Sequence, residues 1–141
     1  MLPADIKIIF AQSVLLIVLL RFMLSFFSFG NVRRYISTHI LQDEKGQRSG
    51  KRKHSRKDMV LGVKLASKYL LRVNRCLIES IVLWVLFKRH GYPADLHIGI
   101  RKDARAQLNG HAWVESEGII AIGWLPDLSK FVMLPPLKWK K

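Results

Sequence analysis

Cys76, the single cysteine, and His111 are the two residues whose types could together support nucleophilic chemistry. A cysteine thiolate is a strong nucleophile, and the partial positive charge at the start of a helix stabilises it. A histidine held beside such a thiol acts as its general base. Spacing alone also fits a cysteine that packs as a small hydrophobe and a histidine that is simply a satisfied polar residue. A catalytic role for the two residues therefore depends on whether the helices and strands that carry them bring their side chains together.

The sequence around Cys76 predicts a helix that begins just before it. Apolar residues recur at helical spacing over 77–86, Asn74 suits an N-cap and Gly91 suits a C-terminal cap. An earlier helix is predicted over 59–73 from the same kind of spacing. These patterns place Cys76 in the first turn of a largely buried helix.

The sequence around His111 predicts a strand in a small antiparallel sheet. Alternating or β-branched runs predict strands over 95–100, 110–115 and 118–122, with a last strand over 130–134. Glu117 and Gly118 form a two-residue hairpin turn in this interpretation. In the resulting register, His111 faces Trp124.

Length and composition restrict the function classes. The chain has 141 residues, 24 Lys plus Arg, 10 Asp plus Glu and a formal net charge of +14. A chain of this length forms one compact domain, which excludes a two-domain Rossmann enzyme, a TIM barrel and a multi-span transporter. One cysteine excludes an intramolecular disulfide and a cysteine-rich zinc site. No histidine pair has metal-ligand spacing, so we expect neither a metal nor a cofactor.

Three segments differ in composition. Residues 1–42 contain an apolar helix followed by a further helical segment, 43–58 form a basic linker and 59–141 form the core. The apolar stretch over 8–29 is long enough to span a bilayer, but Arg21 within it disfavours spanning. A helix packed on the domain or on a partner, or lying flat on a membrane, stays open. The linker lacks aromatic residues among its cations, which argues against nucleic-acid binding.

Two motifs in the predicted order resemble the transglutaminase-like leader peptidases of lasso-peptide biosynthesis. They are a Cys-Leu-x-x-Ser helix ending at a glycine, and a Leu-x-Ile-Gly-Ile strand followed by His-Ala-Trp-Val-Glu. The resemblance covers about Met59 to Leu134, and it implies an α+β fold with a papain- or transglutaminase-like core. In that fold, N-terminal helices accompany a nucleophile helix packed on a small antiparallel sheet. The matching positions are Cys76, Leu77, Ser80, Gly91, Leu96, Ile98, Gly99, Ile100, His111, Ala112, Trp113, Val114, Glu115 and Gly118.

The resemblance implies a cysteine protease that removes the leader from a ribosomally made precursor peptide. Cys76 is then the nucleophile, and His111 is the base that later protonates the leaving amine. The family's third member is an aspartate after the histidine strand, and Asp127 is the nearest downstream carboxylate here. Asp127 serves only if the chain bulges at Gly123 or turns back at Pro126. The alternative is a dyad whose histidine is oriented by a backbone carbonyl or by Asn109.

The resemblance also implies partners. No strand-rich leader-recognition module precedes residue 59, so we expect a separate leader-binding protein, together with a macrolactam cyclase. The expected location is cytoplasmic, with contact to a membrane surface through the N-terminal helix. The competing hypothesis is a non-enzymatic, membrane-associated basic protein that binds anionic lipid or an acidic partner.

Overall fold

The architecture is α+β, as predicted. A computed structural model of the chain describes residues 4–27, 31, 34, 54–70 and 75–133. Its antiparallel sheet has the strand order β3-β2-β1-β4. The elements are α1 (Ala4–Phe26), α2 (Arg56–Leu70), α3 (Arg75–Arg89), β1 (Asp95–Lys102), β2 (Leu108–Ser116), β3 (Ile119–Ile122), a 3-10 turn (Leu128–Lys130) and β4 (Val132–Met133).

Helix α3 lies at the centre of the hydrophobic core. Every side chain from Ile81 to Phe87 is buried. A helix that is apolar on all sides must be covered on all sides. Helices α1 and α2 contact α3 directly, and the sheet covers it from another direction, mainly through β2. The predicted arrangement of a cysteine-bearing helix on a small sheet is confirmed.

The predicted ends of α3 and of the hairpin are also confirmed where the structure describes them. Gly91 follows α3 with φ +82°, and the Tyr92 amide donates to the Phe87 carbonyl at 2.8 Å. Glu117 and Gly118 connect β2 and β3 with φ values of +52° and +80°. The predicted N-cap, Asn74, lies outside the described residues.

The basic linker predicted over 43–58 overlaps a helix. Residues 43–53 lie outside the described residues, but Arg56 to Asp58 form the first turn of α2. The Ser55 hydroxyl accepts a hydrogen bond from the Asp58 amide at 3.2 Å, which caps this turn. The helix predicted to start at Met59 therefore starts three residues earlier, because a serine cap initiates it.

The side chains of β2 alternate between two environments. Val114 and Ile122 of β3 are buried in the core and the half-buried Leu96 of β1 packs against it, on the side that contacts the helices. Residues an odd number of positions from Val114 along β2 point the other way. We call that side the outer face. It carries His97, Gly99 and Arg101 of β1 and His111, Trp113 and Glu115 of β2.

The register between β2 and β3 changes by one residue. Ser116 pairs with Ile119 and Glu115 with Ile120, as predicted, but Val114 then pairs with Ile122. This bulge places an extra residue on β3 and offsets everything beyond it. The prediction that His111 faces Trp124 is therefore wrong.

Helix α1 is packed on the domain along one side. Its buried residues are Ile6, Ile9, Ser13, Ile17 and Leu20. Among the described residues, α1 is the one helix long and apolar enough to cross a membrane by length and composition. Core helices of soluble proteins and signal sequences satisfy the same two criteria.

Candidate active site

Cys76 lies in the first turn of α3, where the sequence predicted it. Its side chain is half-buried and forms no disulfide. The amide groups of a first helical turn have no partner within the helix. Such donors are suited to accept the oxyanion that forms when a thiolate attacks a peptide carbonyl.

His111 lies in the middle of β2, and its ring is held by a backbone carbonyl. Its Nε2 is 2.6 Å from the Gly123 carbonyl oxygen, so Nε2 carries the proton and donates. The ring packs beside Trp113, with centroids 6.2 Å apart and planes 19° apart, and beside Phe131 at 5.6 Å. In the neutral imidazole, this arrangement leaves the free electron pair on Nδ1.

Gly123 makes the contact to His111 sterically feasible. Its φ is +88°, and a Cβ at this position would lie 2.6 Å from the Ala112 carbonyl oxygen and 2.7 Å from the Trp113 Cβ. A side chain would push the backbone away from β2. A backbone carbonyl is one of the two predicted alternatives for orienting His111, and the sequence signal for its position is a glycine that interrupts an apolar strand.

Cys76 and His111 are not together in this structure. Helix α3 packs on the sheet face that carries Val114, whereas His111 points to the outer face. Within the described residues, no hydrogen bond joins the thiol to the imidazole. The catalytic roles of both residues stay predictions.

Asp127 is not beside His111 either. It precedes the 3-10 turn and accepts a charge-assisted hydrogen bond from the guanidinium of Arg101. That hydrogen bond holds the pKa of Asp127 below its usual value. The Arg101 guanidinium in turn lies over the Phe131 ring, 5.4 Å from its centroid. Within the described residues, no hydrogen bond joins Asp127 to His111, and the place of Asp127 in a triad stays a prediction.

Asn109, the other predicted candidate for orienting the ring, has a different partner. Its side-chain amide donates to the Asp103 carboxylate at 3.3 Å. Asp103 also accepts hydrogen bonds from the backbone amides of Gln107 and Arg105, and these lower its pKa. Asn109 thus stabilises the loop between β1 and β2.

The outer face forms one side of an open groove of about 450 Å³. Trp113, Trp124 and Phe131 supply aromatic surface, and Glu115 supplies a carboxylate. The Glu115 carboxylate is 3.5 Å from His97 Nε2. Cys76 does not line this groove. Among the described residues, no group of three or more His, Cys, Asp and Glu side chains is arranged to hold a metal ion.

A family model described as the Transglutaminase-like superfamily matches residues 16–134, which is 119 of the 141 residues. The chain belongs to this superfamily. The matched region runs from the middle of α1 through β4, so it includes both Cys76 and His111. Members of this superfamily are generally cysteine peptidases or transglutaminases. No curated protein and no solved structure matches the chain.

Proposed function

We propose that this transglutaminase-like protein is a cysteine peptidase that removes the leader from a lasso-peptide precursor. The observation that carries the proposal is the half-buried Cys76 in the first turn of α3, inside a region matched to a superfamily of thiol enzymes. The resemblance of the Cys-Leu-x-x-Ser and His-Ala-Trp-Val-Glu motifs to leader peptidases supplies the substrate class.

In this mechanism, the Cys76 thiolate attacks the scissile carbonyl after His111 takes the thiol proton. The amide groups at the start of α3 stabilise the oxyanion. Collapse of the tetrahedral intermediate breaks the peptide bond, and His111 gives the proton to the amine of the departing core peptide. The leader stays attached to Cys76 as a thioester until water, deprotonated by His111, hydrolyses it.

His111 acts through Nδ1 in this mechanism. In the present arrangement, the Gly123 carbonyl accepts the Nε2 proton, which leaves Nδ1 as the acceptor nitrogen of the neutral ring. Asp127 is bound to Arg101, so the proposal is a dyad oriented by a backbone carbonyl.

The mechanism requires an arrangement of β2 that differs from the present one. His111 has to reach the sheet face on which α3 packs. A one-residue shift of a strand exchanges its two faces. The bulge in the pairing of β2 with β3 lies on β3 and does not exchange the faces of β2, so the shift would also break the hydrogen bond between His111 Nε2 and the Gly123 carbonyl and require another acceptor for Nε2. The precursor and a leader-binding partner would have to stabilise the shifted arrangement.

The proposed partners are a separate leader-binding protein and a macrolactam cyclase that uses the released core peptide. The net charge of +14 supports an acidic partner, since opposite charge accelerates association.

A second candidate function is a non-enzymatic binding protein. The observation that favours it is the position of Cys76 and His111 on opposite sides of the sheet. In this alternative, Cys76 is a packing residue and the aromatic contacts of His111 are structural.

Cleavage of the precursor in the presence of its leader-binding partner distinguishes the two candidates. We expect Cys76→Ala to lower the rate by at least about a thousandfold, because the nucleophile is lost. We expect His111→Ala to lower it by about a hundredfold or more, because the base is lost. His97→Ala is the matched control, since His97 is a second histidine of the outer face, and its rate should stay within a few fold.

A Cys76→Ala protein that still trims the precursor contradicts the peptidase proposal. An equal loss in His97→Ala and His111→Ala contradicts the specific role of His111. If the unaltered protein with its partner leaves the precursor intact, the non-enzymatic candidate is supported.

A further inference from the structure

Helix α1 has an apolar side that no described residue covers. Its exposed positions follow helical spacing along the whole helix, over a length of about 27 Å. Leu15, Phe22 and Phe26 are each 64–70% exposed. We call this side the α1 stripe. It consists of Ile8, Ala11, Leu15, Val18, Leu19, Phe22 and Phe26.

Three polar side chains in the apolar part of α1 form hydrogen bonds within the protein, whereas the buried Oε1 atom of Gln12 has no hydrogen-bond partner among the described residues. The Arg21 guanidinium donates to the Leu70 carbonyl at the end of α2, at 2.9 Å. The hydroxyls of Ser13 and Ser25 donate to carbonyls one turn earlier in the same helix. Burying the stripe in an apolar medium would therefore break few hydrogen bonds.

Exposed cations lie on the helix that packs against α1. Helix α2 packs along α1 and exposes Lys57, Lys64 and Lys68 at helical spacing. The chain between the two helices, residues 28–53, contains seven Lys or Arg residues and two acids. An exposed apolar helix face on a strongly basic protein is typical of proteins that bind anionic lipid surfaces.

We infer that the α1 stripe docks the protein on an anionic membrane surface, with α1 lying parallel to the bilayer. Spanning would require α1 to withdraw Ile9, Ile17 and Leu20 from the core, whereas docking keeps them buried. A second copy of this chain is a poorer occupant, because its equal charge of +14 opposes close approach. The inference concerns a different surface from that of Cys76 and does not depend on peptidase activity.

Vesicle co-sedimentation of the full chain tests this inference. The two vesicle preparations are phosphatidylcholine alone and an equimolar mixture of phosphatidylcholine and phosphatidylglycerol. We expect binding to the mixture, weaker binding to the neutral vesicles, and loss of the difference at high salt.

Two pairs of substitutions separate the apolar and the electrostatic contributions. Leu15→Gln with Phe22→Gln should weaken binding to the mixed vesicles at least about tenfold, because two inserted side chains are lost. The matched control is Leu108→Gln with Ile119→Gln, which removes side chains of similar exposure from the sheet and should bind as the unaltered protein does. Circular dichroism checks that each variant folds.

Lys64→Gln with Lys68→Gln should weaken binding by about fivefold per lysine. Lys102→Gln with Lys130→Gln removes equal charge elsewhere, from exposed positions of the sheet region, and should have a smaller effect.

Equal binding to neutral and mixed vesicles overturns the inference, as does unaltered binding by the Leu15 and Phe22 variant. A dimer in solution that this variant dissociates, with no vesicle binding, also overturns it in favour of a second copy.

Discussion

The carbonyl of Gly123 reaches the His111 ring because the backbone at position 123 has a left-handed conformation. L-residues with a Cβ adopt this conformation at a cost of about 1–2 kcal/mol. The neighbouring Ala112 carbonyl also leaves no room for a Cβ. Two separate physical effects therefore favour glycine here.

Gly123→Ala should lower the free energy of unfolding by about 2–4 kcal/mol, since backbone strain and the clash with β2 add. Gly118→Ala is the control, because its φ of +80° is similar but no atom lies within 4 Å of the added Cβ. It should cost only about 1–2 kcal/mol. Urea unfolding of both variants measures the difference. Equal losses would show that the close approach of Gly123 to β2 does not matter for stability.

The residue contacts of the site were predictable only in part. Cys76 and His111 stand out by their types and by the elements that carry them. The partner of Asp127 could not be recognised in the sequence, because Arg101 precedes Asp127 by 26 positions and becomes its neighbour only in the folded chain. A guanidinium pairs readily with a carboxylate. The sequence does not indicate that Arg101 lies nearer to Asp127 than His111 does.

At the scale of elements, α3 was the most predictable part of the fold. Its apolar spacing, its following glycine and its basic last turn all indicate the same helix. The face of β2 that meets α3 was not predictable. Ala112, Trp113 and Val114 are all buried, at 1%, 4% and 0% exposure, because the chain around Phe131 covers the outer face. Alternation in the sequence does not separate the faces of a strand that is covered on both sides.

A disulfide test determines which face of β2 meets Cys76. The chain has one cysteine, so Ala112→Cys and His111→Cys each create one possible pair with Cys76. In the described arrangement, residue 112 points to the α3 side and residue 111 to the outer face. Under mild oxidation of the isolated protein, we expect the disulfide to form faster with a cysteine at 112. Mass spectrometry of the oxidised variants measures this.

The peptidase proposal adds a second expectation to the same test. With the precursor and its leader-binding partner present, the cysteine at 111 should become the faster one to pair with Cys76. If position 111 never pairs under either condition, His111 does not serve Cys76 as its base.

At the scale of the whole molecule, composition indicated one small basic domain and the family resemblance implied its α+β fold, and the superfamily match over residues 16–134 agrees with that fold. Composition did not indicate whether α1 spans a membrane or packs on the domain. A membrane span and a helix packed on a domain both require long apolar stretches. Only the folded chain shows that Ile9 and Ile17 are buried in the core while Leu15 and Phe22 are exposed.

Detection of the leader as a thioester on Cys76 tests the central claim most directly. The protein is mixed with precursor and leader-binding partner, quenched in acid, and its intact mass is measured. The account predicts a transient species heavier by the mass of the leader minus one water, mapped to Cys76 and missing from Cys76→Ala. Cleavage of the precursor with no such adduct, or an adduct on another residue, would contradict it.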